Sequence, residues 1–142
     1  MKHINGRKVL FALLATGLLP LGHAVAQETE QLNRVDPRRE FSTVWRAYPE
    51  MDAEYARAGT QLSVDQVRQV TIGQSQDELY QLLGRAKVGY PDGSWEYHLS
   101  LPLVGTDRLV CQYRVYFDEE DRVELAVWRR PQCADLVLDE QS

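Results

Sequence analysis

The sequence predicts an α+β domain in which two short helices pack on a three-stranded antiparallel sheet (α-α-β-β-β), preceded by an N-terminal extension. Three observations predict it. Two helix-start signatures follow one another between Leu62 and Gly84. Beyond Gly84 the spacing of apolar residues changes from about 3.6 to about 2. The alternating segments that follow are joined by connections too short for a crossover, which makes them an antiparallel meander.

Residues 1–26 read as a signal peptide. Lys2, Arg7 and Lys8 form a basic start, and Val9 to Leu21 is an apolar run of 13 residues. Ala24-Val25-Ala26 supplies small residues for a cut expected between Ala26 and Gln27. The run is short for a membrane span, so release is expected rather than retention as an anchor. Cleavage removes three of the 16 basic residues and none of the 21 acidic ones, leaving a formal charge of −8. The doublets Arg38-Arg39 and Arg129-Arg130 are too few to neutralise a phosphate backbone, so no nucleic-acid partner is expected. Nothing after Leu21 is apolar for long enough to form a transmembrane segment.

Residues 27–61 form the extension, partly helical or extended. Gln27 to Arg34 is a polar lead. Asp36-Pro37 resembles a helix start, with Asp as N-cap and Pro at the first helical position. Phe41, Val44, Trp45 and Tyr48 follow at i, i+3, i+4 and i+7, until Pro49 ends the pattern. An extended segment laying Phe41, Trp45 and Tyr48 on a sheet leaves the same trace. Glu50 to Ala58 is a second weak helix candidate, stopped by Gly59.

The domain proper is expected over residues 62–133. Ser63 with Gln66 makes a capping box, and Leu62 with Val67 a hydrophobic staple. Ser75 with Glu78 makes a second box, with acids in the first turn where they suit the helix dipole. Leu79, Leu82 and Leu83 form the buried stripe, and Gly73 and Gly84 act as stops. Pro91-Asp92-Gly93 turns into the first strand, where Trp95, Tyr97, Leu99 and Leu101 alternate with Glu96, His98 and Ser100. In the second strand Leu109, Cys111, Tyr113, Val115 and Phe117 alternate with Val110, Gln112, Arg114 and Tyr116. In the third, Val123, Leu125 and Val127 alternate with Glu124, Ala126 and Trp128. Residues 134–142 are expected to trail off as an acidic tail.

Two cysteines in an exported chain read as a disulfide, here Cys111 with Cys133. Unbulged pairing about the Glu119–Asp121 turn sets Cys111 opposite Arg129 or Arg130, from where Cys133 can fold back to it. In the chain-entropy picture such a loop stabilises by roughly 3 kcal/mol.

The order of these elements carries a resemblance. Val70-Thr71-Ile72-Gly73-Gln74-Ser75, Leu79, Leu82-Leu83-Gly84, Trp95-Glu96-Tyr97 and Val115-Tyr116-Phe117-Asp118 with Val123 resemble the SmpA/OmlA (BamE-like) family of outer-membrane assembly factors. Leu79-Tyr80-Gln81-Leu82-Leu83-Gly84-Arg85 and Cys111-Gln112-Tyr113 are closest to the form found ahead of OmpA-like domains. The resemblance spans about Leu62 to Trp128 and implies that Gly73, Ser75, Leu79, Leu83, Gly84, Trp95, Tyr97 and Phe117 are fold-motif positions. Assembly-machine members carry a lipid-bearing cysteine where this chain has Gln27, so the protein is expected not to be lipidated.

Chemistry is sparse. His98 is the single histidine after cleavage and alternates outward, and one histidine without partners builds neither a metal site nor a nucleophile–base pair. Asp118 to Asp121 lacks the ligand spacing and glycine of a calcium loop. No metal, cofactor or catalytic residue is therefore expected. Val110, Tyr116 and Trp128 face away from the expected core and, with Trp45, form a possible interaction face unless the extension covers them. The function expected is that of a non-catalytic periplasmic scaffold or interaction protein, peripheral to the outer membrane. It would contribute to outer-membrane protein assembly or envelope integrity through an envelope protein partner, the β-barrel assembly machinery being the candidate. A lipid contact or a homodimer stays open. The alternative is a periplasmic binding or inhibitor module resembling β-lactamase-inhibitor-like proteins.

Overall fold

In the computed structural model, residues 21–42 and 59–139 are described. The elements run α1 (Leu21–Leu32), β1 (Arg34–Val35), β2 (Thr60–Gln61), α2 (Val64–Arg68), α3 (Gln76–Leu83), β3 (Val88–Gly89), β4 (Trp95–Pro102), β5 (Arg108–Phe117), β6 (Val123–Trp128) and α4 (Pro131–Leu138). The strands form one mixed sheet in the order β1-β6-β5-β4-β2, with β3 also paired to β4. β4, β5 and β6 are antiparallel, whereas β1 adds parallel to β6 and β2 parallel to β4.

This overturns the expected fold class. Among the described residues there are four helices and a mixed sheet of six strands, not two helices on a three-stranded antiparallel sheet. The physical reason is length. β1, β2 and β3 have two residues each, too few to show an alternation, and long-range pairing alone defines them. α4 corrects the expected tail: residues 134–138 are helical, and Cys133, Ala134 and Val137 are buried. Pro131 at its first turn starts it, since that position needs no N–H partner. Asp36 to Ser42 is not helical, and Val44, Trp45, Tyr48 and the candidate helix at 50–58 lie outside the described residues.

The two capping boxes form. Ser63 and Ser75 accept from the N3 backbone while Gln66 and Glu78 reach back to the cap. Gly73 and Gly84 both take positive φ, the conformation that costs glycine least. Leu79 and Leu83 from α3 are fully buried, as are Leu99, Leu101 and Val115 of the sheet. Each such side chain contributes about 1.5–3 kcal/mol through area removed from water. Trp95 and Phe117 meet edge to face, ring centroids 5.0 Å apart.

One irregularity reorients β6. Phe117 pairs with Val123 but Tyr116 pairs with Leu125, so Glu124 is an extra residue, a β-bulge. A bulge of one residue exchanges the two faces of everything beyond it. Ala126 and Trp128 therefore join the helix-side core with Val123, while Leu125 and Val127 turn to the opposite face. Trp128 is completely buried and lies edge-on to Tyr113 at 4.0 Å. The expectation of an outward Trp128 is wrong for this reason.

This aromatic pair fixes α1. Tyr113 donates its hydroxyl to the Leu32 carbonyl at 2.7 Å, and the Trp128 indole donates to Asn33 Oδ1 at 3.0 Å. The buried Tyr97 hydroxyl meets no hydrogen-bond partner among the described residues. These two tyrosines give a paired test. Tyr113→Phe leaves the Leu32 carbonyl buried without its donor and should cost about 1–2 kcal/mol. Tyr97→Phe removes only an unsatisfied hydroxyl and should leave stability unchanged or slightly raised. Urea unfolding of both variants checks the contrast.

Candidate functional site

The helices cover one face of the sheet, and the polar partners of the alternation line the other. Register sets Glu96 beside Arg114 and His98 beside Gln112 on β4 and β5. This outer face is closed by residues 36–42, which cross it as a strap. Asp36 donates its backbone N–H to the Trp128 carbonyl at 3.2 Å, where β1 leaves the sheet. The Arg39 guanidinium then stacks over the Tyr116 ring at 4.9 Å. The Glu40 carbonyl accepts from Arg114 Nη1 at 2.6 Å.

At Ser42 the strap reaches the centre of the cluster. Its backbone N–H donates to Glu96 Oε1 at 2.8 Å, and its carbonyl accepts from Gln112 Nε2 at 2.6 Å. Its hydroxyl donates to Glu96 Oε2 in a short contact. Tyr90, in the turn after β3, adds its hydroxyl to Oε1 at 2.6 Å, and His98 Nε2 lies 2.5 Å from Oε2. Glu96 is fully buried. Burial alone pushes its carboxyl up, but the bonds from His98, Ser42 and Tyr90 outweigh that and hold it at about 2. Burial, together with the neighbouring Glu96 carboxylate, raises the Tyr90 phenol.

Arg114, 5% exposed, is equally well engaged. Its guanidinium bonds Ser94 Oγ at 2.8 Å and Asp92 Oδ2 at 2.9 Å, and lies 3.6 Å from the centre of the Tyr90 ring. The Ser94 hydroxyl, then its backbone N–H and Arg114, keep Asp92 below its usual range. The strap's return end is held differently. A Cβ on Gly59 would lie 2.8 Å from the Ser100 nitrogen and 3.1 Å from the Leu99 carbonyl carbon, so only glycine lets the chain approach β4 this closely. Both ends of the segment between Ser42 and Gly59 thus grip the same strand.

Ser42, His98 and Glu96 invite comparison with a hydrolytic triad, and the geometry argues against it. In a triad the serine and the carboxylate use opposite ring nitrogens. Here both approach Nε2, with Ser42 Oγ at 3.0 Å, and the hydroxyl bonds the carboxylate directly. A carboxylate saturated with donors and held near 2 is a weak general base. The arrangement is a clamp.

Of the residues singled out from sequence, Cys111 and Cys133 form a buried disulfide with Cα atoms 5.8 Å apart. Val110 and Tyr116 lie half-buried on the outer face, separated along β5 by Gln112 and Arg114. Trp128 is in the core, and Trp45 lies outside the described residues. The expected four-residue interaction face is therefore not assembled by the described part of the chain. His98, expected on the surface, is only 12% exposed because the strap covers it. The reading missed Ser42, Tyr90, Glu96, Gln112 and Arg114. The available signal was the run of polar alternate positions on two adjacent strands, Glu96 and His98 beside Gln112 and Arg114.

Exposed apolar surface lies elsewhere. At the β4–β5 hairpin tip Leu103 is 41% and Val104 94% exposed. A groove of about 470 Å³ opens beside them, where Val64, Pro102, Leu103, Val104 and Leu136 share the lining with Ser63, Asp65 and Asp139. Among the described residues no helix is long and apolar enough to cross a membrane. No family model matches the chain.

Two substitutions test the clamp. Glu96→Gln removes the charge that gathers the donors and should cost about 2–3 kcal/mol at neutral pH. Because the folded carboxyl sits at about 2 against an ordinary 4.5, its contribution is present above the ordinary value. It is lost as pH falls from there through about 2. Acid titration of stability should therefore be shallower for Glu96→Gln than for the parent in that window. Gly59→Ala should destabilise by about 1–3 kcal/mol through overpacking against the β4 backbone. Faster amide exchange at Leu62, which bonds the Ser100 carbonyl at 3.1 Å, would report the loosening.

Proposed function

We propose that this chain is a non-catalytic periplasmic scaffold or interaction protein of the SmpA/OmlA type, contributing to outer-membrane protein assembly or envelope integrity. Several features support the reading. The residues that carry the resemblance do structural work: Ser75 caps, Gly73 and Gly84 turn, and Leu79, Leu83 and Tyr97 fill the core. A buried disulfide suits an oxidising compartment. The hydrogen bonds that tie the end of α1 to the domain involve Glu28, Leu32 and the following Asn33, so a cut after Ala26 leaves them in place.

The observation that carries the reading is the hairpin tip. A folded domain whose sheet face is closed by its own strap still presents Leu103 and Val104 to solvent beside a groove of mixed apolar and acidic lining. Contiguous exposed apolar surface of this kind serves association. A photo-crosslinking residue at Val104 in intact cells should capture an outer-membrane assembly subunit, while the same group at the solvent-facing Glu124 should not. Deletion should sensitise cells to detergents and bulky antibiotics. Unchanged permeability together with no assembly subunit captured would remove this reading and favour a binding or inhibitor module.

A further inference from the structure

We propose that Gln27 becomes a pyroglutamate, closing the mature N-terminus as a neutral lactam. The inference rests on the exported reading above, with its cut between Ala26 and Gln27. Cleavage there gives a chain whose first residue is glutamine, the residue whose side-chain amide is spaced to form a five-membered ring with its own α-amine. The unprotonated amine nitrogen attacks the side-chain Cδ, and the new N–C bond replaces the Cδ–Nε2 bond. The side-chain nitrogen leaves as ammonia, taking up the proton that the α-amine loses. No oxidant, metal or second substrate is needed.

The structure places Gln27 where this reaction meets no obstacle. Gln27 is exposed, and no hydrogen bond of the described residues engages its side chain. The contacts that seat α1 begin one residue later, where Glu28 accepts from the Ile72 N–H at 2.8 Å. Leu32, 5% exposed, completes the seating one turn on. The cut itself removes residues 21–26, the first half of α1, with the backbone helix bonds their carbonyls accept and the Thr29 hydroxyl bond to the Val25 carbonyl.

The helix also gives the lactam a physical consequence. After cleavage the remaining turns, 27–32, begin with an α-ammonium at the end of the helix where the macrodipole disfavours positive charge. Ring closure removes that charge. Glu28 and Glu30 then stand in the first turn, where acidic side chains suit the helix dipole. A blocked terminus also resists aminopeptidases, which would otherwise trim toward Glu28 and Leu32 and unseat the helix.

The test is peptide mass spectrometry on the full-length gene product, freshly recovered from the periplasm, with amine labelling of the intact protein. The expected result is an N-terminal peptide starting at residue 27, lighter than the encoded peptide by one ammonia and unreactive toward the label. Gln27→Ala should be cut at the same bond but carry a label at its terminus. A peptide starting at Gln27 with a free, labelled amine overturns the lactam while leaving the export reading intact. A chain that starts at Met1, or at any residue other than 27, overturns both.

Discussion

A fully buried carboxylate in the sheet needs donors, and meeting that need shapes the outer half of this molecule. Glu96 finds His98 on its own strand and Gln112 on the next, which is too few for a desolvated anion. Ser42 supplies two further donors from far along the chain, and Tyr90 a third from the turn that leads into β4. Arg114 repeats the logic with opposite sign, drawing on Asp92, Ser94 and the Glu40 carbonyl. Residues 36–42 are therefore part of the folded unit. Without them two charged groups on adjacent strands would lose several of their partners at once.

How far the fold could be read from sequence follows from how local each instruction is. Capping boxes at Ser63 and Ser75 are written within four residues, and both form as read. The alternation of β4 and β5 is long enough to declare itself. The bulge at Glu124 is not declared, because one extra residue leaves an apolar pattern that still looks regular; unbroken alternation therefore puts Trp128 on the wrong face. β1 and β2 have no pattern of their own and exist through pairing with residues distant in sequence. The polar cluster was half visible. Glu96, His98, Gln112 and Arg114 share a face in any reading of the strands, but nothing near Ser42 shows that it would close over them.

The closed face shifts attention in functional terms. Tyr116 is covered by Arg39, and Val110 is cut off from it by polar neighbours, so the sheet offers no continuous apolar platform. Leu103 and Val104 are open at the hairpin tip near α2 and α4, while Val25, Val35 and Tyr80 are exposed on α1, β1 and α3. In this arrangement sheet and strap form a closed, internally bonded half, and the hairpin tip stays open to solvent. That division agrees with the chemistry of the cluster, whose donors and acceptors are occupied with one another.

The disulfide has a mechanical corollary. Cys111 sits in β5, flanked on both sides within the sheet, and Cys133 in the first turn of α4, with β6 enclosed in the covalent ring between them. Tension arriving through residues beyond Cys133 passes straight into β5 and bypasses β6. The last strand cannot be peeled away by traction from that direction, so the sheet must fail as a whole or hold.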